Sequence, residues 1–370
     1  MDHVPAFLLE FTEAEIAAIL GDAERILRSG FLSIAEYGER LEAGMARVAS
    51  TAHAVCCSSG SAALEAAYKA VGVAGRRVLV PTNTNYATAA AARAAGARLT
   101  FYDNGLYPDL DDLAARLADD VAVVSVVHIG GYISPRIREI VALAGERDIP
   151  VVEDAAHAHG AKYDGTPAGG FGLLAAYSFY PSKPLTTGEG GVVATNDPRL
   201  ADLVRRLRNQ GESLDGLLHE LPGSSWRMTE FGAAVGLVRL ASLERDVRRR
   251  LAAVHAYQDL LAPVSEHITL PLADERQLPS GYKAVAVLAD PSARPQLIAH
   301  LAERGVDLPK RVYDTPLHRH PIFQDVENVR DAFPEAEAFA AAHLCLPLWR
   351  AISTEQIEYV AEQVIRFFQA

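Results

Sequence analysis

The sequence predicts an α/β protein: a large domain on a mostly parallel, seven-stranded sheet flanked by helices, followed by a smaller α+β domain. Three observations predict it. Between about residues 50 and 200, short apolar runs alternate with segments of helical spacing. One of those runs, "VAVVSVVHI", is apolar almost throughout, as a strand covered on both faces must be. Beyond about residue 228 the alternation gives way to a long helical span and a proline-rich region.

In chain order, "HAVCC" is short and apolar and reads as the first strand. "SAALEAAYKAVG" has helical spacing and stops on glycine. "RVLVP", "LTFYD", "VAVVSVVHI" and "IPVVEDAA" are the next strands. The segments "YATAAAARAAG", "LDDLAARLA" and "SPRIREIVALAGERD" are the helices between them. "AAYSFY" and "GGVVATN" complete the seven strands. "DPRLADLVRRLRN" opens on an aspartate cap with proline in its first turn. The span from Met228 to Ala262 reads as one mostly helical unit. A strand ("YKAVAVLA"), a helix ("ARPQLIAHLAERG"), a proline-rich loop and two more helices follow, the last opening on the capping-box pattern "STEQ". The division falls near residue 245, giving a large domain of residues 1–245 and a small one of residues 246–370. The N-terminal segment is free to pack on the small domain.

The chain has 370 residues, enough for a large core, and a formal charge of −12. That charge argues against nucleic acid and against a membrane surface, which both favour basic patches. The three cysteines, Cys56, Cys57 and Cys345, have no zinc-type spacing and read as small buried hydrophobes in a reducing cytoplasm. The opening "MDHVPAFLLEFTEAEI" lacks a basic, apolar leader pattern, and no window reaches membrane-spanning length without charge.

Ligands of parallel sheets bind at the carboxyl ends of the strands. Four polar clusters lie at such ends: residues 58–61, 83–86, 154–159 and 178–183. Lys183 follows the aromatic stretch "YSFYP". Desolvated there, its amine becomes a nucleophile; solvated, it is an ordinary loop lysine. Asp154 ends an apolar strand, where a carboxylate needs a partner: a helix start, a salt bridge, or the ring nitrogen of a pyridinium. Ser59, Gly60 and Ser61 sit between a strand and a helix, where free N–H groups and hydroxyls either cap the helix or hold a phosphate. Ser178, one strand over, could supply another hydroxyl or be a satisfied strand serine. The pairs His157/His159 and His318/His320 come without a third ligand at metal spacing, so no metal is expected. A lysine, a carboxylate and a phosphate cradle on one rim are what pyridoxal phosphate requires.

On these residues the chain resembles the DegT/DnrJ/StrS sugar aminotransferases, pyridoxal-phosphate enzymes of fold type I. The resemblance covers nearly the whole chain: "SGFLS", "SSGSAAL", "VPTNTNYATAAA", "VVHIGG", "VVEDAAHAHGA", "SFYPSKPLTTGEGGVVATND", "WRMTEFGAAVG", "VYDTPLH" and "CLPLW", in order. It implies that Lys183 forms the Schiff base and shuttles the proton, and that Asp154 pairs the pyridine nitrogen. It implies that Ser59, Gly60, Ser61 and Ser178 hold the phosphate. His157 stands where relatives often carry a glutamine near the cofactor's phenolic oxygen. Tyr313 and His318, in "VYDTPLHRHP", are implied candidates for the sugar site. Two positions depart from the family. Its ring-stacking aromatic aligns with Asn85, leaving Tyr86 to take over. Its asparagine, sent to the phosphate by a neighbouring subunit, aligns with Ser225. A lysine at 183 separates the chain from related dehydratases, which carry histidine there.

The implied activity moves an amino group from glutamate or glutamine to a keto-sugar, expected to be a nucleotide-linked 3- or 4-keto-6-deoxy sugar. A cyclitol ketone of the inosose type is the alternative acceptor, and a non-catalytic cofactor-binding regulator the alternative class. The implied assembly is a cytoplasmic homodimer with shared active sites.

Overall fold

The structure, a computed structural model, describes residues 3–213, 215–271 and 275–369. Seven short strands make the central sheet: β1 (His53–Cys57), β2 (Arg77–Pro81), β3 (Arg98–Tyr102), β4 (Val121–Val127), β5 (Val151–Asp154), β6 (Leu174–Ser178) and β7 (Gly191–Thr195). Their order is β1-β7-β6-β5-β4-β2-β3. Strands β2 to β6 pair in parallel, and β7 alone runs against both of its neighbours. The carboxyl ends of six strands therefore share one rim with the start of β7. Register makes that rim level: Val127, Asp154 and Ala176 are paired across β4, β5 and β6.

Helices cover both faces, as apolar runs in a parallel sheet require. One face carries α3 (Gly60–Ala70), α4 (Tyr86–Ala94) and α7 (Pro198–Arg208), with Ala63, Tyr68, Ala92 and Val204 in its core. The other carries α2 (Glu36–Ala49), α5 (Leu110–Arg116), α6 (Ile137–Gly145) and the first half of α8 (Glu230–Leu261), with Met45, Leu113, Ile140 and Ala233 in its core. A further helix, α1 (Glu13–Ser29), opens on a capping box at Thr12 and Glu15 and packs on α8.

The second core is smaller. Strands β8 (Ile268–Thr269), β9 (Ala284–Leu288) and β10 (His343–Leu346) form an antiparallel sheet. Against it pack α9 (Arg294–Glu303), α11 (Thr354–Gln369) and the second half of α8, through Ala253, Val254, Tyr257 and Leu261. Helix α10 (Pro334–Ala342) leads into β10. The box at Ser353 forms as its pattern requires, with Gln356 N–H donating to Ser353 Oγ at 3.2 Å. The N-terminal Val4 is buried in this core and exchanges backbone hydrogen bonds with Gly305 and Asp307. Strands β8 and β10 are additions to the sequence expectation: they hold two and four residues, too few to show a period. We propose the division into residues 1–245 and 246–370 within α8, because the helix changes core along its length.

Candidate active site

Two glycines set how closely the rim is built. A Cβ on Gly60 would lie 2.6 Å from Ser178 Cβ, so only glycine lets the start of α3 approach the end of β6. A Cβ on Gly191 would lie 2.4 Å from the Ser59 carbonyl oxygen. Ser59 caps α3, its Oγ accepting from Ala62 N–H at 3.1 Å. The first-turn N–H groups of α3, Ser61 and Ser178 thus line one end of a cavity of about 380 Å³.

Lys183 enters the same cavity from the turn after β6. The glycine-rich segment is laced to its own backbone rather than loose. Phe179 N–H donates to Gly190 O at 2.8 Å, Thr187 N–H to Phe179 O at 3.0 Å, and Thr186 Oγ1 to Phe179 O at 2.8 Å. Phe179 is fully buried and anchors the turn. Lys183 N–H closes on Tyr180 O at 2.9 Å, and its Nζ sits over the Tyr282 ring, 4.7 Å from the centroid. Desolvation brings the amine down to about 7; the Asp154 carboxylate opposes that shift and Lys283 adds to it.

Asp154 ends β5 and is buried. Its Oδ2 accepts from Thr88 Oγ1 at 2.7 Å and its Oδ1 from Ala156 N–H at 3.1 Å. Burial still raises its pKa above the usual carboxylate value, against these hydrogen bonds and the pull of Lys183. Thr88 hydrogen-bonds in turn with Thr84 Oγ1 at 3.0 Å. Since the Thr88 proton goes to the carboxylate, Thr88 accepts from Thr84.

His157 forms the opposite wall. Gly130 N–H donates to its Nδ1 at 3.2 Å, which leaves the proton of the neutral ring on Nε2, 3.2 Å from Tyr313 Oη. Desolvation, then Lys183, holds its pKa well below the ordinary value, so the ring is neutral at pH 7. Its face stacks on Tyr282, with centroids 4.3 Å apart. Tyr313 is held by its own N–H on Asn83 Oδ1 at 3.2 Å and lines the cavity.

The structure thus gathers Ser59, Gly60, Ser61, Asp154, His157, Ser178, Lys183 and Tyr313 around one cavity. Three expected residues lie elsewhere. Tyr86 is 53% exposed and leans on Phe323 at 5.8 Å, while Asn85 lines the cavity. Asn85 caps α4 through Ala87 N–H, and the next residue of a helix start points about 100° away. His318 is a junction rather than a wall of the cavity. Its Nδ1 lies 2.8 Å from Thr82 Oγ1, its Nε2 2.6 Å from Glu337 Oε1, and its ring rests on Phe333. Ser225 is exposed on a bridge to Asn209, away from its own chain's cavity. Thr88, Tyr282, Lys283 and Glu189 were not foreseen. Thr88 sits one turn past the "TNTN" cluster, which hinted at it; Tyr282 and Lys283 are polar residues leading into β9.

A wider cavity of about 670 Å³ lies between α2, α8 and the 162–167 hairpin. It brings no amine, carboxylate and phosphate-ready helix start together. Among the described residues no group of three or more His, Cys, Asp or Glu could hold a metal, and no helix is long and apolar enough to cross a membrane.

The donors fit pyridoxal phosphate. The glycine-opened helix start suits a phosphate dianion, the buried carboxylate a pyridinium, and the desolvated amine an aldehyde. A cavity so furnished, on this sheet, defines a pyridoxal-phosphate-dependent aminotransferase. The chain belongs to the DegT/DnrJ/EryC1/StrS aminotransferase family, whose profile matches residues 13–365. It is 34% identical to the dTDP-3-amino-3,4,6-trideoxy-alpha-D-glucose transaminase of Streptomyces venezuelae, over 92% of this chain and 89% of that one. It is 31% identical to a pleiotropic regulatory protein of Geobacillus stearothermophilus, over 97% and 96%. The crystal structure of S. venezuelae DesV in complex with a ketimine intermediate superposes with a TM-score of 0.93, at 32% identity and full coverage of both chains.

Proposed function

We propose that the protein is a sugar aminotransferase that moves an amino group from glutamate or glutamine to a nucleotide-linked 3- or 4-keto-6-deoxy sugar. The observation that carries the reading is the convergence of Lys183 and Asp154 on one cavity. The dTDP-linked sugar in one relative's name supports the acceptor class. When bound, the cofactor supplies the electron sink for the pair left behind as the donor loses its α-proton.

In this proposal the chain's own residues have separate tasks. The first turn of α3, with Ser59, Gly60, Ser61 and Ser178, holds the phosphate. Asp154, steadied by Thr88, keeps a proton on the ring nitrogen. Lys183 Nζ, whose pKa burial brings down to about 7, takes the donor's α-proton and later delivers one to the acceptor. Neutral His157 and Tyr313 form a hydrogen-bonded wall over the reacting groups. Donor and acceptor use the site in turn, so initial-rate plots are parallel, as for any ping-pong enzyme.

We assign Ser225 to the phosphate of a partner subunit's site. Exposed apolar side chains support a homodimer: Leu20 (65%), Leu27 (65%) and Phe31 (70%) on and after α1, and Leu217 (78%) ahead of Ser225 in the chain. Cytoplasmic placement is supported by the three buried, unbridged cysteines.

A second reading, a cofactor-binding regulator without turnover, is favoured by the name of one relative. Mixing the purified holoenzyme with L-glutamate or L-glutamine separates the two. The aminotransferase bleaches the cofactor's visible absorbance within seconds and releases the 2-oxo acid. No bleaching with either donor overturns the proposal.

A further inference from the structure

Lys283 is a cation whose counter-charge is missing. It leads into β9, and its Nζ sits 5.2 Å from the centroid of the Tyr282 ring, the same ring that carries Lys183 Nζ at 4.7 Å. Among the described residues it makes no ion pair and no hydrogen bond, and no carboxylate is among the groups that bear on it. The nearby thiol of Cys345 is buried and pushed up to about 11, so it is neutral. Burial accordingly lowers the pKa of Lys283. Arg250 backs the same segment. It is buried, its Nε has no partner, and it has no ion pair among the described residues. Its guanidinium donates to the Gly281 carbonyl at 3.5 Å.

Among the described residues no carboxylate acts on Lys283, and the one that acts on Arg250, Asp246, pairs with Arg239 and Arg350 instead, so the wall that Lys183 touches carries a local excess of positive charge. A buried ammonium left so is expensive unless an anion joins it. The cofactor phosphate does not fill this role, because its proposed cradle is on α3 and β6, whereas Lys283 belongs to the small domain. A diphosphate of a nucleotide sugar is a poor fit too, since ring atoms separate it from the carbon that reacts at Lys183. An amino acid differs: its α-carboxylate is bonded to the reacting carbon itself.

We propose that Lys283, backed by Arg250, receives a carboxylate of the amino donor and so sets the specificity of the first half-reaction. The inference rests on the aminotransferase reading above. Lys283 is a binding residue here and moves no proton.

The test uses holoenzyme carrying Lys283→Met, Lys283→Gln or Lys283→Arg. The half-reaction with L-glutamate and with L-glutamine is followed by stopped-flow absorbance, and binding of 2-oxoglutarate and of dTDP by calorimetry. The Met and Gln variants are expected to raise the half-saturating donor concentration and the 2-oxoglutarate Kd about tenfold or more, with the maximal rate within about threefold of wild type. Arg restores most of the affinity, and dTDP binding stays within about twofold. Unchanged donor and 2-oxoglutarate affinity in folded Met or Gln variants overturns the inference, as does an equal loss of dTDP binding. A wild type that reacts with neither donor sinks the aminotransferase reading instead; a reactive wild type with indifferent variants sinks only this one.

Discussion

Thr88→Val tests whether Asp154 is held as an anion by design of the rim. Thr88 is fully buried and valine has its shape, so the change removes a hydroxyl and little volume. It deletes the 2.7 Å hydrogen bond to Asp154 Oδ2 and leaves the Thr84 hydroxyl without its acceptor, while Ala156 N–H still serves Oδ1. A hydrogen bond to a charged group is worth about 1.5–3 kcal/mol. Asp154 is already disfavoured as an anion by burial, so losing the donor weakens its hold on a protonated ring nitrogen. Cofactor affinity should fall about tenfold to a hundredfold, with a matching loss in the donor half-reaction. Cofactor titration by fluorescence quenching measures the first and stopped-flow absorbance the second. Thr88→Ser keeps the hydroxyl and should stay close to wild type. Equal behaviour of the Val and Ser variants, or wild-type affinity in Val, would refute the reasoning.

Gly60→Ala places a methyl 2.6 Å from Ser178 Cβ and 3.1 Å from Ser178 Cα, which a side-chain rotation cannot relieve. The start of α3 must move off β6, costing about 1–3 kcal/mol of stability by chemical denaturation and at least about tenfold in cofactor affinity. Asp154→Asn separates stability from function. Because burial raises the folded-state pKa of Asp154, its charge lowers apoprotein stability as pH climbs from the unfolded value through the folded one. The apo variant should therefore melt at or above wild type at pH 7–8, the difference closing towards pH 4 in calorimetry. Its turnover should be at least about a hundredfold lower; an apo variant less stable than wild type at pH 8 would contradict the charge argument.

The central sheet was legible because its strands are mostly buried on both faces and show as short, mostly apolar runs. Lys183 and Asp154 were legible for the opposite reason: Asp154 closes one such strand and Lys183 lies in the turn after another, where parallel strands deliver side chains to a ligand. Tyr282 and Lys283 were not. They lie about a hundred positions from Lys183, in a segment whose local pattern says only that a strand begins. Folding of the small domain against the large one brings them in, and no periodicity encodes that. Tyr86 and His318 fail differently. Each lies in the right segment, but the segment does not fix where a side chain points. One step along a helix start turns Asn85 inward and Tyr86 onto Phe323. Thr82 and Glu337 turn the His318 ring into the junction between β2 and α10.

The two charges at the centre of the site are each held against their own hydration. Burial raises Asp154, burial lowers Lys183, and each is partly restored by the other's field. Neither ionises as it would in water, and among the described residues neither forms an ion pair. A group that carries a pyridinium towards Asp154, an aldehyde towards Lys183 and a dianion towards α3 relieves these strains together. Its binding energy is then folding energy for the rim, through mass action on the native state. Lys283 and Arg250, which form no ion pair among the described residues, extend the same logic one step outward. On the proposal above, the charge of this wall left without a carboxylate acting on it is that of Lys283. An anionic amino donor supplies its complement, and in doing so bridges the large-domain amine and the small-domain wall. Donor binding should thus also hold the two domains together, which a neutral amine offered to the same lysine could not do.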